Sequence, residues 1–484
     1  MILIRVFFLC LFFSKALAGT AEEPSPHVIV IFGSTGDLTS RKLLPAVYNL
    51  AMEQQLGERL SVVGFARREG SDDSLREQMV QAVDSFSRNK PIDQPFWEKF
   101  QTRLFYNQGE FEKDEGYEKL GKLLAKLDKQ LGAQNRRIYF LATQPSYFPT
   151  IIEKLHEHSL INPETKVMIE KPFGSDLKSA ISLQKTLSKY LEESQIYRVD
   201  HYLGKIGVQN ISTLRFDNAL FEPVWNRHFI DRVDITISEE IGIGTRARLF
   251  EETGLLRDIF QNHLLQLFAL VAMEPPATRD AASMHKEKAK VLRATLPFPL
   301  KDLGRSIIYG QYGPGKIQGK EVVGYLQENG VAPTSTVETF VAAKLLINNE
   351  RWRAVPFYLR AGKRLSHSFA EIAMRFKKGE VLFIRIQPQT ALDLQILSQV
   401  PSIEAKVQPA LFGYNLNQFF HAASPEAYEK LFYECMRGDQ SLFVTEEEEL
   451  ATWRLLTPVL EYWKAHPEEK PLPYEAGTDG PLLK

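Results

Sequence analysis

The chain has 484 residues, with 44% hydrophobic and 11% aromatic content and 59 basic against 60 acidic side chains. That is too long for one compact core, so two large domains are expected, and a near-zero balance without a long basic stripe argues against nucleic acid as a partner. Two cysteines, Cys10 and Cys435, exclude a disulfide framework, and no Cys/His spacing resembles a zinc site, so no metal is expected and Cys435 reads as a small buried apolar residue.

Met1 to Phe13 is apolar except for Arg5, and Ala16-Leu17-Ala18-Gly19 resembles a signal-peptidase site. The stretch is short for a membrane span, so stable insertion is not expected. Residues 1–26, closing with the linker Ala21 to Pro26, bear on localisation alone: cytoplasmic, or exported or lumenal if the leader is a true signal. His27 to Phe32 then reads as a buried strand, and Leu38 to Gln55 has helical apolar spacing. Leu60 to Phe65 is a second strand, followed by helices from Asp72 to Arg88 and Glu115 to Leu131. Strands from Arg137 to Ala142 and Lys166 to Ile169 alternate with helices from Tyr147 to His158 and Leu177 to Glu192. This alternation predicts a Rossmann-like α/β domain over 27–200, its parallel sheet covered on both faces.

Beyond about Arg198 the rhythm changes. Helices at Leu255 to Ala272, Pro425 to Arg437 and Glu447 to Ala465 accompany strand-like runs from Val233 to Ser238, Thr339 to Leu346 and Phe357 to Arg360. Further runs span Glu371 to Phe376, Val381 to Ile386 and Leu392 to Ile396. Strands in succession predict an α+β domain over 201–484 with a large, mainly antiparallel sheet.

Gly33-Ser34-Thr35-Gly36-Asp37-Leu38 sits where the first strand turns into the first helix. A backbone approaching a pyrophosphate needs glycine there, and the helix start offers free N–H groups. The pattern is Gly-x-x-Gly, shorter than the full dinucleotide fingerprint, and Asp37 could be no more than a helix cap. The order strand, loop, helix supplies the specificity. After the second strand, Ala66-Arg67-Arg68 places arginine where NAD enzymes usually carry an acid. We therefore expect Arg67 on the 2′-phosphate of NADP and Arg68 over the adenine, with Glu69 leaving room for some use of NAD.

Glu170-Lys171-Pro172-Phe173-Gly174 closes a strand with a lysine at its carboxyl end, where ligands bind in open α/β sheets, and Pro172 is a candidate cis proline. Arg198-Val-Asp-His-Tyr-Leu-Gly-Lys205 packs an acid, a histidine, a phenol and two cations together, and Arg257-Asp-Ile-Phe-Gln-Asn-His263 follows later. Oxidising a sugar hydroxyl needs a base that titrates near working pH, which suits a histidine oriented by a buried carboxylate. Only His201 and His263 lie in such runs, and residue types alone do not say which is the base and which binds phosphate. A nucleotide loop, an anion-binding run and a spare histidine point to a dehydrogenase of a sugar phosphate.

The chain resembles the glucose-6-phosphate dehydrogenase family from about His27 to Pro481. The resemblance rests on Gly33 to Leu38, Glu170 to Gly174, Arg198 to Lys205 and Arg257 to Gln266, and extends to Leu359-Arg-Ala-Gly-Lys-Arg-Leu365, Ile386-Gln-Pro388 and Tyr474 to Pro481. It implies oxidation of glucose 6-phosphate at C1 to 6-phospho-D-glucono-1,5-lactone with hydride transfer to NADP. It further implies His263 as general base with Asp200 as its orienting carboxylate. His201, Tyr202 and Lys205 would hold the 6-phosphate, Glu239 and Asp258 the sugar hydroxyls, Lys363 the sugar from the far domain, and Lys171 both substrate and coenzyme. Coenzyme contacts would fall on Gly33, Gly36, Asp37, Leu38 and Arg67, with Ser34, Thr35 and Arg68 completing that end and Tyr147 beside the nicotinamide. A homodimer or homotetramer through the large sheet is also implied.

The chain departs from the family pattern in two places. Ser366-His367-Ser368 stands where a basic residue usually follows Lys363, leaving Arg364 or His367 to compensate, and Arg246 and Arg248 replace glycine character before Glu251-Glu252-Thr253-Gly254. No second, structural NADP site is expected. Two rivals are a sugar oxidoreductase of the glucose–fructose oxidoreductase type, which does not need the Asp200 to Lys205 cluster, and a degenerate NADP-binding sensor, which has no need of a base.

Overall fold

The structure, a computed structural model, describes residues 25–56 and 59–483, so the leader and Cys10 lie outside the described residues. Among those described, no helix is long and apolar enough to cross a membrane. Six strands, β1 (His27–Phe32), β2 (Leu60–Ala66), β3 (Leu104–Gln108), β4 (Arg137–Leu141), β5 (Lys166–Ile169) and β6 (Ile196–Val199), pair in parallel in the order β3-β2-β1-β4-β5-β6. Every residue of β1, β2 and β4 is buried, because helices cover both faces, and this is why they carry unbroken apolar runs. The order reverses between β1 and β4, which opens a crevice at their carboxyl ends. Gly33, at φ +86°, turns the chain there. A Cβ on it would come within 2.4 Å of the Ala142 carbonyl oxygen just past β4, so only glycine fits.

Nine strands form the second sheet: β7 (Ile230–Ser238), β8 (Ile307–Gly313), β9 (Phe340–Leu345), β10 (Phe357–Gly362), β11 (Phe369–Phe376), β12 (Val381–Gln387), β13 (Ala391–Gln399), β14 (Val407–Asn415) and β15 (Leu472–Glu475). Their order is β14-β13-β12-β11-β7-β10-β9-β8-β15, antiparallel except for β7 with β10 and β8 with β15. Burial alternates along β7, with Val233, Ile235 and Ile237 in the core and Asp234 and Thr236 on the more open face.

Among the features not foreseen, two bear on the site. First, the segment expected as one helix from Leu255 to Ala272 is a π-helix, Leu256–Leu264, running into an α-helix, Leu265–Ala272. Apolar spacing does not distinguish the two, and side chains complete the wider turn: Asn262 Oδ1 accepts from the His263 N–H at 2.8 Å while Asn262 Nδ2 donates to the Arg257 carbonyl at 2.8 Å. Second, helix Ala427–Arg437 and the short strand Phe443–Val444 return to the first sheet. The strand pairs antiparallel with β6, and Tyr428, Leu431, Phe432, Cys435 and Met436 share a core with Ile29 and Ile31. Cys435 is wholly buried and its thiol is pushed up to about 12 by that burial.

Candidate active site

Strand ends assemble the site. Parallel pairing of Ile169 with Arg198 carries Lys171 and Asp200 off the same edge of the first sheet, and parallel pairing of Ser238 with Gly362 puts Glu239 beside Lys363 at the edge of the second. The π-helix brings Asp258 and His263 between them. Past β6, the carbonyls of Asp200, His201 and Tyr202 accept in turn from the N–H groups of Leu203, Gly204 and Lys205, so the run curls into a turn that feeds helix Ile206–Phe216. Gly204 is required there, since a Cβ would lie 2.5 Å from the Ala427 carbonyl oxygen.

His263 and Asp200 are 3% and 1% exposed. Their Nδ1 and Oδ1 atoms lie 2.5 Å apart across 63 residues of sequence. Burial alone would raise the Asp200 carboxyl, but His263, the Tyr202 N–H at 2.9 Å and Lys171 hold it below its ordinary value. An ionised carboxylate only accepts, so Nδ1 carries the proton and Nε2 is left with the lone pair. Burial also lowers His263, against Asp200 and with Lys171, so the ring rests neutral. This arrangement can accept a proton at Nε2 and stabilise the imidazolium that forms.

Beside the dyad, the His201 ring meets His263 edge-on at 4.4 Å, and Tyr202 stacks on His263 at 4.3 Å. Lys205 Nζ stands 5.0 Å over the Tyr202 ring. Burial, with lesser contributions from His263, Lys205 and Lys171, holds His201 well below the ordinary histidine value, so it meets an anion as a neutral donor. Lys205 is pushed down to about 8 by burial, with Glu426 opposing and Lys42 reinforcing the shift. Ligand-type atoms of Asp200, His201 and His263 fall within 4.8 Å of one another, a spacing that also suits a metal ion, but Lys171 and Lys205 beside them oppose a cation. Three residues of this corner were missed from sequence. Lys42, on the first helix, reaches it and pairs with Glu426 at 3.2 Å. The Tyr428 hydroxyl donates to Glu170 Oε1 at 2.6 Å, and Gln387 Oε1 accepts from the Tyr202 hydroxyl at 3.1 Å. Nothing local marks Lys42 or Tyr428, and the Ile386-Gln-Pro388 run does not show where Gln387 points; each arrives from a distant element.

Toward the second domain, charges alternate. Lys171 Nζ meets Asp258 Oδ1 at 3.0 Å, and Lys363 Nζ lies 2.6 Å from Glu239 Oε2 and 3.8 Å from Asp258 Oδ2. Burial would raise Asp258, yet Lys171 and Lys363 hold it far below the usual carboxylate range, with Arg246 adding to their field. Arg364 is turned instead toward Glu328, at 3.4 Å, and exposed His367 contacts Ser366, so neither joins this cluster. The Lys171–Pro172 bond is cis.

In the nucleotide crevice, Gly33 and Ser34 donate their N–H groups to the Phe65 carbonyl and Gly36 donates to that of Gly33, while Thr39 Oγ1 donates to the Gly33 carbonyl at 3.1 Å. The amides of Asp37 and Leu38 are among those a helix start leaves unpaired. Ser34 corrects the sequence expectation: it is wholly buried against Gly64, its hydroxyl without a partner, so it supports the loop from beneath. Tyr147 lies in the same crevice. Its hydroxyl lies 3.5 Å from Arg67 Nη1 and its ring 5.1 Å from that of Phe111, which ties it to the arginine end of the crevice instead of to Lys171. Arg68 and Arg67 are both exposed, and the Arg68 carbonyl accepts from the Tyr106 hydroxyl at 2.6 Å. A tight loop whose first position admits only glycine, under a helix start with free amides, fits a dinucleotide pyrophosphate.

Two family models account for nearly all of the chain: glucose-6-phosphate dehydrogenase, NAD binding domain, over residues 30–210, and its C-terminal domain over 212–483. The glucose-6-phosphate 1-dehydrogenase of Chlamydia pneumoniae is 46% identical over 480 residues, covering 94% of this chain and 93% of its own. That of Bacillus subtilis is 39% identical over 478 residues, 96% of each. A solved glucose-6-phosphate dehydrogenase in complex with its substrate glucose-6-phosphate superposes with a TM-score of 0.87 at 34% identity, over 95% of this chain and 96% of the other. A crevice for a dinucleotide, a buried histidine–carboxylate pair and a cationic corner lie on a chain matched in both halves, and that chain belongs to the glucose-6-phosphate dehydrogenase family.

Proposed function

We propose that this chain is a glucose-6-phosphate 1-dehydrogenase, converting the C1 hemiacetal of glucose 6-phosphate to 6-phosphoglucono-1,5-lactone with a nicotinamide dinucleotide, NADP in preference to NAD, as hydride acceptor. That is the opening step of the pentose phosphate route. The observation that carries the reading is the His263–Asp200 contact in the same corner as Lys205 and His201. His263 Nε2 takes the C1 hydroxyl proton while Asp200 holds the ring. Lys205, neutral His201 and Tyr202 grip the phosphate, near the start of helix Ile206–Phe216, whose dipole favours an anion. Glu239 and Asp258 accept from sugar hydroxyls, and Lys171 and Lys363 keep Asp258 ionised. Arg246 takes the part of the missing basic residue after Lys363.

Formation of NADPH with glucose 6-phosphate, set against glucose, tests this reading. Phosphorylated substrate should be used far more efficiently, and equal use of glucose would return the oxidoreductase rival. Lys205→Ala should raise KM for glucose 6-phosphate by roughly 10–100-fold, the loss of one charged hydrogen bond of about 1.5–3 kcal/mol. An unchanged KM would remove Lys205 from the phosphate.

For the coenzyme, Arg67 is the residue that selects NADP, with Arg68 at the adenine and Thr35, Gly36, Asp37 and Leu38 at the pyrophosphate. Arg67→Ala should weaken NADP by about tenfold or more while leaving NAD little changed, since only NADP offers a second phosphate to a guanidinium. Equal losses for the two coenzymes would argue against that contact.

We assign residues 27–200 to coenzyme binding and 201–484 to substrate binding and subunit association. Exposed Leu411, Phe412 and Tyr414 on edge strand β14 make that edge the association face of a homodimer or homotetramer. We place the enzyme in the cytoplasm.

A further inference from the structure

We propose that Glu449 shares one buried water with Asp200 and thereby acts as a positioning residue for the proton-transfer pair. Next to Asp200 is a small cavity of about 20 Å³, whose lining includes Glu170, Arg198, Asp200, Gln261, Gln266 and Glu449. A water needs about 10–15 Å³ by this measure, so there is room for one. Two buried atoms of the lining residues lack partners: Asp200 Oδ2, an acceptor, and Arg198 Nε, a donor. Arg198 and Asp200 are two residues apart at the end of β6 and so share a face. A single water can donate to Asp200 Oδ2 and accept from Arg198 Nε and from a Glu449 O–H, which gives it three hydrogen bonds.

Charge explains why Glu449 keeps its proton. Asp200, Glu170 and Glu449 line one chamber, and three such neighbouring carboxylates do not all ionise. The nearby cations are already engaged, Arg198 by both oxygens of Glu193 at 2.7 and 2.9 Å and Lys171 by Asp258 at 3.0 Å. His263 and the Tyr202 N–H hold Asp200 as the anion. Glu170 accepts from the Tyr428 hydroxyl and from the Lys171 N–H. On Glu449, Oε1 accepts from Gln261 Nε2 at 2.8 Å and from Trp453 Nε1 at 2.9 Å, which leaves Oε2 to carry the proton. Burial pushes Glu449 up to about 7, against Arg198, and Glu170 only to about 6. While Glu449 is neutral, Asp200 is the only charged member of the pair that shares the water. Once Glu449 ionises, a second negative charge strengthens the hold on the imidazolium, so the two titrations are coupled.

Two measurements test this, and only the second rests on the proposed activity. Difference infrared spectra of the full chain at about pH 7, where Glu170 is mostly ionised, should show the carbonyl stretch of a buried carboxylic acid that is largely lost in Glu449→Gln. No such band, or a band indifferent to the substitution, overturns the proposal. On the acid limb, profiles of kcat/KM against pH should show two coupled dissociations in the wild type and one in Glu449→Gln, with the change in kcat and not in KM; superimposable profiles also overturn it. If Glu449→Gln does not fold, Glu170→Gln decides: a surviving band supports Glu449, and a lost band overturns it. A chain inactive on glucose 6-phosphate leaves the infrared result standing, which separates the two failures.

Discussion

His263→Asn should lower kcat by about three to five orders of magnitude and leave KM for glucose 6-phosphate nearly unchanged. Asparagine fills much of the imidazole's space and can still face Asp200, but it has no lone pair of useful basicity where Nε2 stood. The substrate would still be gripped by Lys205 and the Glu239–Lys363 pair, so the loss falls on turnover. Steady-state NADPH formation checks it, and near-wild-type turnover would take the base role away from His263. The same residue sets the pH dependence. His263 must be neutral to accept a proton, and burial lowers it, so the acid limb of kcat/KM should fall below the ordinary histidine value. Lys205, at about 8, must stay charged to hold the phosphate, so the alkaline limb should begin near there as the free enzyme loses that proton.

Asp200→Asn should cost about three to four orders of magnitude in kcat while the fold survives. The amide can turn an N–H toward Nδ1, which moves the ring proton to Nε2 and blocks the very position that has to accept. Loss of the ring's counter-charge adds to this. Because the two residues act as one unit, the Asp200→Asn, His263→Asn double variant should be little worse than His263→Asn alone. Losses that multiply would show that the 2.5 Å contact has no catalytic meaning.

The parts of this site that could be read from sequence are those where one short run holds several members. Asp200, His201, Tyr202 and Lys205 come from a single turn, and the loop from Gly33 to Leu38 follows a strand whose apolar run is unbroken. What escaped did so for physical reasons. Strands β3 and β6 are short and interrupted, by Asn107 and Arg198 respectively, and Arg198 is buried only because Glu193 neutralises it. Helix Ala281–Ala294 buries His285 and Lys288 against Glu448, so its inward face does not look apolar. Ser34 and Tyr147 show a further limit: a loop position names a neighbourhood, but the direction of a side chain depends on what else is packed there. Lys42, Tyr428 and Gln387 join the corner from three separate elements, and only the assembled chain brings them together.

The return of residues 427–444 to the first sheet bears on biogenesis. The nucleotide layer begins at His27, yet its edge beside β6 and one of its faces stay open until Phe443 and Val444 have emerged from the ribosome. A nascent chain halted before that point would present bare β6 backbone and only part of the cover over β1 and β4 to the solvent. The amino-terminal half, though made first, therefore completes its edge only when nearly the whole chain has been made.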